Sequence, residues 1–298
     1  MQCCQPLGGN LQRFSECNFN DGPDRIKEDI ARIREWQQKQ THLCFTVDDQ
    51  LILAFLRCSK FSIERTKEKI DNYYTMRTLV PEVLCNRDPF STEIQAVLNA
   101  GVILPLPKPL NDDGPRIIMF TYGSNLNPDT MSFSNVAKVI YMVLDILIKE
   151  DDRSVVSGIK TWSICKNIPS KYVIQVTPPL VKKYLTIVQN GFPIRIKELF
   201  VTECSPLFQY AYDISKLFLS KKLSERVCMV QVGKASPSNN NFRCLYMHME
   251  WKAKVESYRD WFLENEKLKS NEDLRKGTSK TSSSVFGMEG SFRKLNID

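Results

Sequence analysis

Histidine is nearly absent. His42 and His248 are the only two in 298 residues, so a serine or cysteine nucleophile would have few bases to activate it. His42 precedes an apolar helical run and is expected at the surface or in packing rather than in proton transfer. The chain carries no GxxxxGK[ST] phosphate loop, no GxGxxG fingerprint, no HExxH and no CxxC pair, which leaves nucleotide and metal chemistry without a signature. No catalytic residue, metal or cofactor is therefore expected. Long apolar runs are missing too: none approaches the roughly 18 residues of a spanning helix, so any membrane contact is expected to be peripheral. The opening MQCCQPLGGNLQRF lacks an apolar segment of signal-peptide type and has no Gly at position 2, which predicts neither secretion nor myristoylation. Its adjacent Cys3 and Cys4 suit palmitoylation or a disordered start.

What is present points to a globular protein. Hydrophobic residues make up 42% and charged residues 25% of the chain, near the average for soluble domains. The length suits one large domain with a smaller companion. A net charge of +7 and a pI near 8.8 are modest beside those of dedicated nucleic-acid binders, so no nucleic acid is expected as a partner. Ten cysteines at irregular spacing, most within apolar runs, read as buried free thiols of a reducing, cytoplasmic compartment.

Along the chain, residues 21–40 repeat Ile26, Ile30, Ile33 and Trp36 at helical spacing, with Pro23 at the start. A second helix begins at Asp48 or Asp49 and runs through LILAFL, and Ser62 precedes a third with Ile63, Ile70, Tyr73, Tyr74 and Met76 along it. A helix is expected from about Ser91 to Gly101, then strands in VILPLP and RIIMFTYG around a Pro- and Gly-rich turn. Further on come helix 134–149, strand 155–162, helix 178–190, strand 194–202, helix 206–219 and strand 227–232. Strands alternating with helices predict a largely parallel sheet. Residues 251–269 read as helical, GTSKTSSS at 277–284 as a flexible linker, and the half-apolar tail after it as a docking segment.

Two features suggest binding. Arg195 and Lys197 alternate on an expected strand, and Lys221, Lys222 and Arg226 follow the next helix. Such a cluster suits a phosphate head group, although a solvated charged face has the same spacing. The helix between them, PLFQYAYDISKLFL, is apolar around most of its circumference, so it is buried in a core or covers something apolar.

The segments LILAFLRCSKFSIERTKEKIDNYYTMR, GIKTWSICKNIPSKYVIQVTPPLVKK and FPIRIKELFVTECSPLFQYAYDISKLFLSKKLSERV carry a resemblance. The chain resembles the CRAL-TRIO lipid-binding family, which includes cellular retinaldehyde-binding protein and alpha-tocopherol transfer protein, and is most similar to its insect members. The resemblance implies an α/β fold: a lipid-binding domain with a mostly parallel sheet and an apolar pocket, behind a small all-helical lobe. It places a flexible start at 1–20, the helical lobe at 21–90, the lipid-binding domain at 91–250 and a helical, flexible tail at 251–298. It also implies a basic patch for phosphoinositide head groups, matched by Arg195, Lys197, Lys222 and Arg226; a further basic position falls on Ser59, beside Lys60. Candidate pocket walls are Ile187, Phe192, Ile196, Leu199, Phe208, Ala211 and Ile214, each of which also suits an ordinary core.

The chain departs from the family pattern at Ile164, where an Asp is usual, and at Tyr172, where a His is usual. The Leu-Pro-x-Glu-Tyr-Gly-Gly motif expected after the last strand is replaced by VGKASPSNNNFRCLYMHMEWKAK, a local loss at the domain's end. The expected function is a cytoplasmic, non-enzymatic carrier that associates peripherally with membranes. It would move a tocopherol, retinoid, sterol or phospholipid between phosphoinositide-bearing membranes. A phosphoinositide-binding or scaffold module with a compromised pocket is the alternative, and a lipid hydrolase is a third reading that rests only on the apolar site and the many hydroxyl and thiol side chains.

Overall fold

The computed structural model describes residues 7–19, 21–107, 114–123, 125–204, 206–230 and 241–287. A helix, α1 (Gly9–Phe19), occupies the stretch expected to be an unstructured start. It is tied down by the hydroxyl of Ser15 donating to Asp21, whose carboxylate also accepts from Arg57 at 2.9 Å. The helical lobe follows as α2 (Pro23–Gln38), α3 (Asp49–Cys58) and α4 (Ile63–Leu79). Each starts where the sequence says it should: Pro23 lies in the first turn of α2, and Asp48 caps α3 by accepting from Leu51 N–H. Two short helices, α5 (Pro81–Leu84) and α6 (Thr92–Ala100), lead out of the lobe, and α6 ends on Gly101 in the left-handed region.

The sheet then begins with β1 (Ile103–Pro105) and β2 (Arg116–Thr121). The apolar helix α7 (Phe133–Glu150) is buried around most of its circumference and forms the centre of the core. Val155 and Val156, expected to open a strand, instead end the short helix α8 (Asp152–Val156), and β3 runs Ile159–Ile164. The Asp151 carboxylate causes this shift: it accepts from Arg153 N–H and from the Ser154 hydroxyl, and so nucleates a turn. α9 (Ser170–Ile174) and α10 (Pro178–Thr186) come next, and α10 passes into a π-helical turn over Ile187–Gly191 rather than continuing as α-helix. β4 (Ile196–Thr202), α11 (Pro206–Lys216), α12 (Lys221–Ser224) and β5 (Val227–Val230) complete the sheet. Its order is β1-β2-β3-β4-β5, with β1 antiparallel and the other pairings parallel. This is the mostly parallel α/β architecture expected from the sequence.

After the sheet, α13 (Asn241–Ser257) runs through the boundary expected at residue 250, and α14 (Arg259–Asn265) follows. Of the segment that stands where the closing motif is expected, residues 232–240 lie outside the described residues and the remainder lies on α13. The stretch expected to be a flexible linker is a strap across the helical lobe. Arg275 forms a bidentate pair with Asp71 at 2.8 and 3.0 Å, Lys280 reaches the same carboxylate at 2.7 Å, and Asn271 N–H donates to His42 C=O at 2.9 Å. The strap ends in α15 (Ser282–Phe286), which opens with a capping box at Thr281 and Ser284 and buries Phe286 completely. Hydroxyl-rich composition reads as a linker, but here the hydroxyls cap a helix. The cysteines also differ from expectation: among those described, only Cys58 and Cys165 are buried, and Cys17, Cys44, Cys204 and Cys228 are exposed.

A buried polar network joins the lobe, the central helix and the C-terminal helices. Asp145 on α7 accepts from Arg87 at 2.6 Å and from the Tyr73 hydroxyl at 2.8 Å. Arg77 donates to Tyr73 at 2.6 Å and to the Asn265 carbonyl at 2.7 Å, while Arg87 donates to the Asn265 side chain at 3.0 Å. All three charges are almost fully buried, and removing one side of such a set leaves the remaining charge unpaired away from water. Asp145→Asn is therefore expected to lower unfolding free energy by about 3–5 kcal/mol in a urea titration.

Acid acts on the strap. The Asp71 carboxyl is lowered to about 2, with burial opposing and the Arg275, Lys280 and His42 hydrogen bonds prevailing, and Glu272 is lowered to about 2 in the same way by Arg275 and Ser270. Folded values below the unfolded ones mean that this stabilisation is complete above about pH 4–5 and is lost as pH falls toward 2. Peptic cleavage near Leu274 is expected to rise steeply across that window; a flat profile would contradict the clamp.

Candidate functional site

Four elements surround a cleft of about 460 Å³ at the junction of lobe and sheet: the end of α3, one face of α4, the π turn, and the chain running from β4 through α12. Among the described residues, its walls carry Lys60, Arg65, Lys69, Arg195, Lys197, Lys222 and Arg226 against a single carboxylate, Glu68. The four basic residues expected from the sequence thus share one cavity, together with Lys60, noted beside Ser59, and with Arg65 and Lys69, which the sequence pattern did not gather.

The reason for their convergence differs from the expected strand alternation. Arg195 precedes β4, and the β3–β4 register shifts between Ile159 and Lys160, so that Ile159 faces Ile196 while Lys160 faces Glu198. Lys197 is the extra residue of this bulge, which redirects its side chain. Gly158 makes the bend possible. It sits at φ +84°, and a Cβ there would run into the Arg195 carbonyl and come within 3.2 Å of the Lys197 side chain.

The cations are not equivalent. Arg195 donates to the carbonyls of Val155 and Val156 and stacks over the Phe19 ring at 4.4 Å; burial lowers its pKa. It is a fixed charge in the floor of the cleft. Arg226 is held by the Ile196 carbonyl, and Lys69 by the carbonyls of Gln189 and Phe192 at 3.1 and 3.3 Å. Bonds to carbonyls orient these groups without cancelling their charge. Lys197 lies at the electrostatic centre: burial lowers its pKa first, then repulsion from Arg195, Arg226, Lys60 and Lys222. Lys60 and Lys222 are exposed at the rim.

The position matched to Ser59 is filled in an unexpected way. Ser59 is buried, its hydroxyl has no partner among the described residues, and it lines the cleft. Lys60 and Phe61 both take left-handed backbone angles, φ +54° and +57°, which cost of order 1 kcal/mol or more each for residues with side chains. The kink buries Phe61 in the core and brings Lys60 to the cleft. A basic function displaced by one residue along the sequence is thereby restored in space.

The expected apolar walls do not share one setting. Ile187 and Phe192 are fully buried in the core, with the Phe192 ring 5.4 Å from Tyr73 and 5.2 Å from Tyr141. Ile196 lines the basic cleft. Leu199 is half-buried on β4, while Phe208, Ala211 and Ile214 lie on α11, Ala211 buried and the other two half-buried. The sheet itself adds a signal that the sequence did not. β4 runs between β3 and β5, yet every residue except Val201 is only half-buried, whereas interior strands of parallel sheets are ordinarily covered on both faces. Lys160 and Glu198 pair at 2.9 Å, and Trp162 and Phe200 approach to 6.1 Å, on one face. Thr161 and Leu199 occupy the other, where the buried Thr161 hydroxyl has no partner among the described residues. Tyr172, at the position of the usual family His, is buried, and its hydroxyl likewise has no partner among them.

Ser220 lines the cleft, and Gln189 ties it to the turn after α11. Gln189, on the cleft wall, donates to the Phe218 carbonyl at 3.1 Å and accepts from Ser220 N–H at 2.9 Å. It thus holds the turn between α11 and α12.

Comparison with known proteins gives this arrangement a family. Residues 22–94 match the Pinta-like UBA domain model and residues 101–237 the CRAL/TRIO domain model. Alpha-tocopherol transfer protein-like of Mus musculus is 28% identical over 209 residues, covering 70% of this chain and 60% of its own length. Clavesin-1 of Xenopus laevis is 28% identical over 215 residues, covering 70% of this chain and 62% of its own. The chain thus spans about 60% of the length of these relatives. A solved structure, that of Sfh5, aligns over 84% of this chain at 14% identity with a TM-score of 0.43, too low to bear on the argument. No helix among the described residues is long and apolar enough to cross a membrane, and no group of metal-ligating side chains occurs among them. A Pinta-like UBA domain in the helical lobe leads into a CRAL/TRIO domain that carries the sheet, and this pair of matches places the chain among proteins built on the CRAL/TRIO domain.

Proposed function

We propose that this protein binds a lipophilic molecule between β4 and α11 and exchanges it at membranes whose phosphoinositide head groups enter the basic cleft. The observation that carries the reading is the crowding of Lys60, Arg195, Lys222 and Arg226 around Lys197 with one carboxylate on the walls. Holding like charges together costs free energy, and a multiply charged phosphate ester offsets that cost by pairing with several of them at once. Exposed Lys60 and Lys222 suit first contact with an anionic surface, and the floor cations suit the head group itself.

The half-buried β4, followed directly in the chain by α11, favours this place for the cargo. Leu199, on the face that also carries Thr161, supplies apolar surface there. The unpartnered hydroxyls of Thr161 and Tyr172 suit a ligand that carries one polar group, because a buried hydroxyl is stabilised by a partner. Gln189 offers a route between the two sites: a head group that displaced it would free the turn after α11. Tight packing of Phe192 with Tyr73 and Tyr141 favours the second reading, a phosphoinositide-binding module that carries no cargo. Organic extraction and mass spectrometry of the purified protein separate the two. One lipophilic species near one-to-one supports the carrier, and folded protein without lipid supports the module.

Two variants test the cleft and its coupling. Lys197→Ala with Lys222→Ala is expected to weaken binding to vesicles containing phosphatidylinositol bisphosphate by about tenfold to thirtyfold, at roughly 1 kcal/mol per cation near the surface. Unchanged binding would count against the cleft. Gln189→Ala is expected to leave vesicle binding intact while amide exchange at Leu217–Ser220 rises severalfold. Protection equal to the parent's would remove Gln189 from the coupling.

A further inference from the structure

The strap over residues 270–287 crosses from the helical lobe to α10, and its two attachments differ in kind. Its far end is apolar, with Phe286 fully buried. Its near end is polar: Asp71 takes Arg275 and Lys280, Lys280 also donates to Asn72 at 2.9 Å, and Glu272 holds Arg275 and the Lys280 N–H. Between them the chain turns outward at Gly277, φ +91°, and exposes Lys276, Thr278 and Ser279. The sequence there reads Arg275-Lys276-Gly277-Thr278, an exposed hydroxyl with a guanidinium three residues before it and an ammonium two before it.

We propose that Thr278 is a phosphorylation site for a protein kinase that requires arginine three residues before the acceptor, and that the phosphate unfastens the strap. Transfer forms the ester between Thr278 Oγ1 and the γ-phosphorus of ATP, breaks the β–γ anhydride bond, and releases ADP and the hydroxyl proton. In the docked strap the same Arg275 that such a kinase reads is only 9% exposed and committed to Asp71 and Glu272. Recognition therefore needs the polar end to lift, and the docked strap protects its own acceptor. Once attached, a phosphate adds about −1.5 to −2 charges beside the carboxylates of Asp71 and Glu272 and competes with them for Arg275 and Lys280. Ser279 follows directly, and its hydroxyl donates to the Glu272 carbonyl at 2.9 Å, a bond that belongs to the docked arrangement.

The experiment treats the full chain with such a kinase and ATP, maps phosphate by mass spectrometry, and follows amide exchange over 270–287. Phosphate is expected on Thr278 and absent from Thr278→Ala. Exchange across 270–281 is expected to rise at least severalfold in the phosphorylated chain. Lys280→Ala, which loosens the polar end but keeps the recognition sequence, is expected to accept phosphate about fivefold faster, the effect of roughly 1 kcal/mol. Absence of phosphate from Thr278 in both chains would overturn the proposal, as would equal rates in parent and Lys280→Ala. Exchange unchanged by phosphate would overturn the unfastening.

Discussion

The Asp145 carboxylate, buried between two guanidinium groups, is the constraint on which the arrangement rests. One acid on α7 fixes Arg87 from the loop after α5 directly and Arg77 from α4 through the Tyr73 hydroxyl. Arg77 and Arg87 in turn hold Asn265 of α14. Tyr73 also packs its ring against Phe192, which caps the π turn. The wall of the basic cleft contributed by Val188, Gln189 and Asn190 is therefore positioned from the network outward. Buried charges are poor sources of net stability, but they tolerate few alternative geometries, and a cleft built from four elements requires that they be held in one relation.

Helix α4 shows how one element serves three purposes. Arg65, Glu68, Lys69 and Asn72 face the cleft, Ile70, Tyr73 and Arg77 face the core, and Asp71 and Thr75 face the strap. The three sets recur at spacings of three and four residues, as a helix demands. Its body is consequently polar on two sides, and its apolar stripe is interrupted by a buried arginine. Lys280 bonds both Asp71 and Asn72, so the strap's polar end adjoins the cleft's rim.

Much of the fold was legible because periodicity and capping act locally. The lobe helices, α7, the strands β2 and β4 and the parallel order all followed from apolar spacing and from Pro, Asp and Gly at element ends. The basic cleft was legible in four of its residues through the family resemblance. What was hidden depends on distant partners. Nothing in the sequence joins Arg77, Arg87 and Asp145, which lie far apart along the chain, and Arg275 finds Asp71 across 204 positions of sequence. The bulge at Lys197, the π turn at Ile187 and the left-handed pair at Lys60 and Phe61 are local departures from regular geometry that residue type does not announce. The apolar pocket was the weakest expectation, since aromatic and aliphatic residues suit a core and a cargo site equally, and Ile187 and Phe192 went to the core.

The central claim joins the basic cleft to movement of a lipophilic cargo, and the rate of transfer between vesicles tests it most directly. A fluorescent cargo-loaded protein, mixed with acceptor vesicles with and without phosphatidylinositol bisphosphate at matched total charge, should release its cargo markedly faster to the phosphoinositide-bearing vesicles. Equal release rates to both, from protein shown to hold cargo, would contradict the account.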